Sequence, residues 1–191
     1  MSNQNNKKIP IKGYASFHPL KHCMVGSGFH IEWFKEFFSD KKILDPLQRI
    51  AEETEEDFLE LSSILTKAGV EVHRPELKIE KYNSLRDIYR PPMTPRDHFG
   101  VIGEKFYAVQ YAQGYSNVLK KIKKDQLFIK PKDTAYTGTI DTASILRAGK
   151  DLYWGHDPKY GDPTEYVNMF EQEGFRVHLL EREYHSDAVI S

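Results

Sequence analysis

The sequence predicts an α/β protein built from repeats of one unit, and three observations lead there. Two helix starts share a capping pattern, Asp45-Pro46-Leu47-Gln48 and Asp162-Pro163-Thr164-Glu165. Two strand-like segments that follow these helices nearly coincide, AGVEVHRPE at 68–76 and EGFRVHLLE at 173–181. Three apolar segments broken by glycine, KHCMVGSGF, HFGVIGEKFYAV and ILRAGKDLYWG, each precede a candidate helix. The repeating unit is therefore hairpin, helix, strand, at roughly 14–76, 92–132 and 139–181. Modules of this kind bury their faces against neighbours, as in propellers and solenoids.

Each element has a local reason. Residues 1–13 are largely polar and read as a flexible N-terminal arm ahead of a domain over 14–191. A glycine between two short apolar runs is the signal of a tight turn, so each broken segment reads as two strands. In both helix starts an Asp caps, a Pro occupies a position whose missing N–H does no harm, and Gln or Glu stands three residues after the cap. Leu47, Ile50, Thr54, Phe58, Leu61, Leu65 and Ala68 then recur at helical spacing, and Gly69 closes a helix over 46–68. A weaker helix over 115–124 leads into QLFIKPK at 126–132. The end of the chain, HSDAVIS at 185–191, reads as the first strand of a fourth unit.

Composition narrows the function classes. A net charge near −1 offers no broad positive surface to a phosphate backbone, so no nucleic-acid partner is expected. The basic run Lys120, Lys121, Lys123 and Lys124 reads as a solvated face, with Val118, Leu119 and Ile122 as its apolar side. No apolar stretch reaches the ~18 residues of a bilayer span, and the first residues lack a signal peptide's apolar core. A cytoplasmic protein without a membrane partner is the expectation. The single cysteine, Cys23, rules out an internal disulfide and reads as a core residue of an apolar strand. His73 and His178 fill the same slot of repeated strands, which predicts a shared packing role.

Four residues at unit starts are candidates for chemistry. Asp97 stands four residues before Val101, Asp141 four before Ile145, and His185 and Asp187 lead into Val189-Ile190. If the modules surround an axis, these starts meet at one end of it and form a pocket for a cation. Clustered carboxylates raise one another's pKa unless a cation joins them, and a guanidinium matches them by paired hydrogen bonds. Two other readings stay open at this point. Each Asp can cap a turn with His185 at the surface, or His185 and Asp187 with Asp141, Asp97 or His98 can supply ligands to a transition metal.

The motifs in order carry a resemblance. PPMTPRDHFGVIGEKFY at 91–107, TIDTASILRAGKDLYWG at 139–155, GFRVHLL at 174–180 and HSDA at 185–188 resemble the successive motifs of the amidinotransferases. That family, which includes arginine:glycine and inosamine-phosphate enzymes, has the pentein fold, an α/β propeller of five ββαβ modules. The resemblance covers about 90–191 well and 14–76 loosely, so it implies about three modules plus the first strand of a fourth. It also implies a cysteine thiolate that attacks the guanidine carbon of L-arginine, and an acceptor amine, glycine or similar, that resolves the amidino-enzyme.

Carried over by position, the resemblance makes Asp141 and His185 the catalytic proton-handling pair. Asp97 and Asp187 would grip the guanidinium nitrogens, with Arg96 beside them in the substrate site. No cofactor and no metal are implied. Ile140 stands where the family usually has Phe, Thr142 and Ser144 add polarity, and the family's nucleophilic Cys belongs to a last module not present in these residues. The resemblance therefore implies an amidinotransferase inactive by itself and active when completed by the remaining modules, from a longer gene product or a partner chain; a homo-oligomer is the other expectation, since three modules of a closed array leave a face uncovered. A non-catalytic guanidino-binding or interaction module and an arginine-deiminase-like hydrolase are the alternatives.

Overall fold

The computed structural model describes residues 8–15, 17–76, 93–108, 114–129, 140, 142–158 and 161–181. In chain order the elements are β1 (His22–Met24), α1 (Glu32–Lys35), α2 (Lys41–Lys67), β2 (Glu71–His73), α3 (Pro95–His98), β3 (Phe99–Ile102), β4 (Lys105–Ala108), α4 (Ser116–Leu119), β5 (Leu127–Ile129), β6 (Ile145–Ala148), β7 (Asp151–His156), α5 (Thr164–Gln172) and β8 (Arg176–Glu181). The fold is α/β, as the sequence predicts. It divides into two compact units, Met1–Ile9 with Leu20–Pro95 and Ala112–Lys121, and Pro10–Pro19 with Arg96–Tyr111 and Ile122–Ser191. No helix among the described residues is long and apolar enough to cross a membrane.

Two sheets of the second unit have the expected topology. β3 and β4 form an antiparallel hairpin and β5 adds parallel to β4. β6 and β7 form a second hairpin, and β8 returns through α5 to lie parallel to β7 over six residue pairs. Each hairpin turns through the two residues its glycine predicts, 103–104 and 149–150. The core of this unit is an aromatic cluster, with Tyr107, Trp154, Tyr166 and Phe170 almost entirely out of solvent. Phe170 meets Tyr107 and Trp154 edge to face, the arrangement that aromatic quadrupoles favour.

The first unit departs from that pattern. KHCMVGSGF supplies only one strand, β1, which pairs parallel with β2 in a two-stranded sheet. The predicted hairpin is absent there because residues 26–28 serve another purpose. The Gly26 carbonyl accepts from Arg74 Nη2 at 2.9 Å and from Nε at 3.2 Å, and the Gly28 N–H donates to Glu55 at 3.1 Å. Arg74 in turn grips both Glu55 carboxylate oxygens, at 3.0 and 2.8 Å, so this segment is held by side chains of α2 and the residue after β2.

Helix α2 begins five residues before the predicted start at residue 46. Asp40 has the extended backbone of a cap and accepts from the Lys42 N–H at 2.8 Å, so capping chemistry was available earlier than Asp45. Pro46 then lies inside the helix and deletes the bond its amide would have made to the exposed Lys42 carbonyl. Ile50 and Leu61, read as core, are 48% and 43% exposed, because the inward stripe runs along buried Ala51 and half-buried Leu47, Thr54, Phe58 and Leu65. α2 and α5 end in the same way. Gly69 and Gly174 adopt φ near +80°, which side-chain-bearing residues resist, and the next residue's N–H reaches back to Leu65 or Phe170 at 3.0 Å.

Three smaller predictions meet the structure as follows. The helix read over 115–124 shrinks to one turn, Ser116–Leu119, while the lysines after it are exposed as expected. At α5 the predicted cap forms: Asp162 accepts from the Thr164 hydroxyl at 2.5 Å and from the Thr164 N–H at 2.9 Å, and these bonds hold its carboxyl below the usual carboxylate range. The arm read over 1–13 is packed at its described end, where Ile9 and Ile11 are buried and the Ile9 N–H bonds the Lys121 carbonyl at 2.9 Å.

Candidate functional site

The described part of the predicted site is the junction where the second unit's two hairpins begin. Pro95–His98 forms a single helical turn that runs directly into β3, so Asp97 is half-buried at a strand start, as its position in the repeat predicts. Thr142, Ala143 and Ser144, all buried, form a 3₁₀ turn that runs directly into β6. The two turns are fastened to each other. Thr142 Oγ1 donates to the Arg96 carbonyl, and Arg96 Nη2 donates to the Ala143 carbonyl at 3.3 Å. The residue before Asp97 is thus bonded to the two residues that follow Asp141.

Close packing reinforces the junction. A Cβ placed on Gly100 would lie 2.6 Å from Thr142 Cγ2, so the third residue after Asp97 and the first after Asp141 touch without room for a methyl group. One turn further, Arg147 donates through Nη1 to the Val101 carbonyl and crosses from β6 to β3. Burial, and secondly the charge of Arg96, lowers the Arg147 pKa below that of an ordinary guanidinium. Arg96 and Arg147 therefore bring positive charge to the place where the sequence collects carboxylates.

Of the sequence-predicted site residues, Asp97 and Arg96 are located in this junction. Asp141, His185 and Asp187 lie outside the described residues. Asp97 has no ion-pair partner among the described residues, and neither it nor His98 joins a set of metal-ligating groups there. Cys23 is half-buried on β1, and burial pushes its thiol above the ordinary value, the opposite of an activated nucleophile.

The two equivalent histidines do not share a role. His178 bonds Asp151 at 2.9 Å and lies flat on Tyr153, with ring centroids 4.7 Å apart. His73 is buried and stacks on His22 instead, at 5.4 Å, with Glu71 beside both. Burial lowers the His73 pKa and so favours its neutral form. Sequence reading missed this trio. Glu71 and His73 are two apart and so share one face of a strand, which is a visible signal, but the partner His22 is 49 residues before Glu71 and only the sheet register brings it there.

Solved structures carry this fold. The chain is similar to inosamine-phosphate amidinotransferase StrB1 from Streptomyces griseus, with a TM-score of 0.65 and 20% identity over 92% of this chain and 64% of that one. It is similar to SxtG, an amidinotransferase of the saxitoxin biosynthetic pathway from Microseira wollei, with a TM-score of 0.62 and 18% identity over 92% of this chain and 65% of that one. A dimethylarginine dimethylaminohydrolase in adduct with S-methyl-L-thiocitrulline matches at a TM-score of 0.56 and 10% identity, over 87% and 63%. The chain thus spans somewhat less than two thirds of the length of these structures. No family model matches it, and no curated protein matches it in sequence. The motif-based resemblance to amidinotransferases has its counterpart in the fold.

Proposed function

We propose that this chain is the guanidino-binding and proton-handling part of an amidinotransferase that moves the amidino group of L-arginine to an amine such as glycine. The observation that carries the reading is the fastened junction of Arg96 with Thr142 and Ala143. It joins the PRD and IDTA motifs within a fold shared with amidinotransferases. In this reading the modules form part of a pentein ring, and a thiolate from a module beyond these residues is the nucleophile. Cys23 does not fill that role, since its environment stabilises the neutral thiol.

The roles follow from the chemistry. Asp97 and Asp187 hold the guanidinium by charge-assisted hydrogen bonds while the thiolate adds to the guanidine carbon. His185, oriented by Asp141, gives a proton to the departing nitrogen, and the C–N bond breaks to release ornithine and leave an amidino-thioether. The acceptor amine then loses a proton to His185 as it attacks that carbon, which regenerates the thiolate. Arg96 works here chiefly as the tie that aligns Asp97 with the second hairpin.

The test is to combine the chain with polypeptide supplying the remaining modules, from its own gene product or a partner, and to assay L-arginine with glycine and other amines. Ornithine and a new guanidino compound are expected, and Asp97→Asn should lower kcat/KM by ~10²-fold or more through lost positioning. Citrulline as the product would instead favour hydrolysis, the second reading, which the dimethylaminohydrolase likeness keeps in view. Arginine binding abolished by Asp97→Ala, with no turnover in any assembly, would replace the enzyme with a binding module.

A further inference from the structure

The His22, Glu71 and His73 trio lies in the first unit and includes no residue used in the proposed function, and three features of it point to a ligand. The first is convergence. β1 and β2 run parallel with His22 opposite Glu71 and Met24 opposite His73, so the three side chains leave one face of the sheet. Backbone bonds continue the register at both ends, from the Glu71 N–H to Lys21 and from the Val25 N–H to His73. The second is aim. His22 Nδ1 faces His73 Nε2 at 3.2 Å, and each of these nitrogens lies 3.8 Å from an oxygen of Glu71. The third is graded exposure, since the side chains of His73, His22 and Glu71 are 4%, 22% and 52% exposed and the carboxylate is therefore open to solvent.

The spacing suits a small divalent ion. With metal–nitrogen bonds of about 2.05 Å, two nitrogens 3.2 Å apart subtend an angle of about 103°, near the tetrahedral value. Each nitrogen lies 3.8 Å from a different oxygen of Glu71, so the carboxylate has to turn and move in to present one oxygen to an ion held by both imidazoles, and the side chain, half exposed, has room to do so. Three protein ligands leave a fourth position of a tetrahedral ion for water. Two imidazoles and one carboxylate are a donor set for zinc-like transition metals, whereas calcium and magnesium take oxygen ligands.

We propose that His22, Glu71 and His73 form a binding site for one divalent transition-metal ion of the zinc class, which clamps β1 to β2. The benefit to the fold is specific. These strands pair over only three residues, a two-stranded sheet is marginal alone, and helix α2 separates the two strands in sequence. An ion held across the sheet closes a loop of 51 residues, from His22 to His73, at its base. Without metal, the two imidazoles share a hydrogen bond in the same geometry.

The test uses the untagged full chain, freed of metal by chelation and titrated with zinc chloride against a chromophoric chelator. Cobalt(II) substitution serves as a second readout. The expected result is one zinc per chain, visible absorption of four-coordinate cobalt, and a zinc-dependent rise in the thermal midpoint. His73 is buried, and its loss can unfold the chain, so the decisive variants are Glu71→Gln and His22→Asn at more open positions. Each should weaken zinc by at least the ~10-fold that loss of even an outer-shell partner causes, and should abolish the cobalt spectrum. No stoichiometric zinc in the wild type, or unchanged affinity in both variants because other histidines of the eight bind it, would overturn the proposal.

Discussion

Replacing Gly100 with alanine should damage the junction of the two hairpins by a predictable amount. The new Cβ would sit 2.6 Å from Thr142 Cγ2 and 2.7 Å from Thr142 Cβ, where ordinary contact begins near 3.4 Å. Strand β3 and the Thr142 turn must therefore separate by about 0.8 Å, and overpacking of this kind costs ~1–3 kcal/mol. The same displacement stretches the Thr142 hydroxyl bond to the Arg96 carbonyl, whose net worth is ~0.5–1.5 kcal/mol. A loss near ~2 kcal/mol corresponds to a thermal midpoint lower by ~4–8 °C at this chain length, or a urea midpoint lower by ~1 M. Thr142→Gly removes both clashing atoms, so adding Gly100→Ala to it should cost little more. The coupling between the two changes should be ~1–2 kcal/mol. Gly100→Ala that leaves the denaturation midpoint in place, or a double variant whose losses simply add, would refute the claimed contact.

Two further outcomes follow from the same coordinates. Phe170→Ala should cost ~3–5 kcal/mol in chemical denaturation, since Phe170 is fully buried between Tyr107 and Trp154, whereas Leu179→Ala at a 46% exposed site should stay within ~0.5 kcal/mol. Similar losses at the two positions would contradict the assigned core. The second concerns pH. Hydrogen bonds from Arg176, then His178, hold the Asp151 carboxyl far below its usual range. The unfolded chain then takes up this proton near pH ~3.9 while the folded chain does not, so the stabilisation is present above that pH and is lost as pH falls below it. The midpoint gap between wild type and Asp151→Asn should accordingly narrow between pH ~6 and pH ~3. A gap independent of pH would rule out this ion pair as its source.

The repeat was legible because each of its signals is local. Capping at Asp162, the glycine ends of α2 and α5, and the two-residue turns of two hairpins depend on residues within one turn of one another. The segment KHCMVGSGF has the same local signal, yet it forms one strand, because Arg74 and Glu55 claim its glycines from far along the chain. The start of α2 was misplaced for a related reason. Two Asp residues five apart both suit a cap, and only the backbone conformation at Asp40 decides between them.

For function, the sequence alone determined which residue types stand at the unit starts and in what order, and that order carries the likeness to amidinotransferases. The spacing of Glu71 and His73, two apart in a strand-like segment, was a visible signal of the trio that went unread. Only the tertiary structure decided that Arg96 bonds Thr142 and Ala143, that Gly100 abuts Thr142, and that His22 meets His73. Each of these contacts joins residues more than 40 positions apart. Their spacing carries no periodic signal, and they exist only once parallel and antiparallel registers are set by the burial of whole strands.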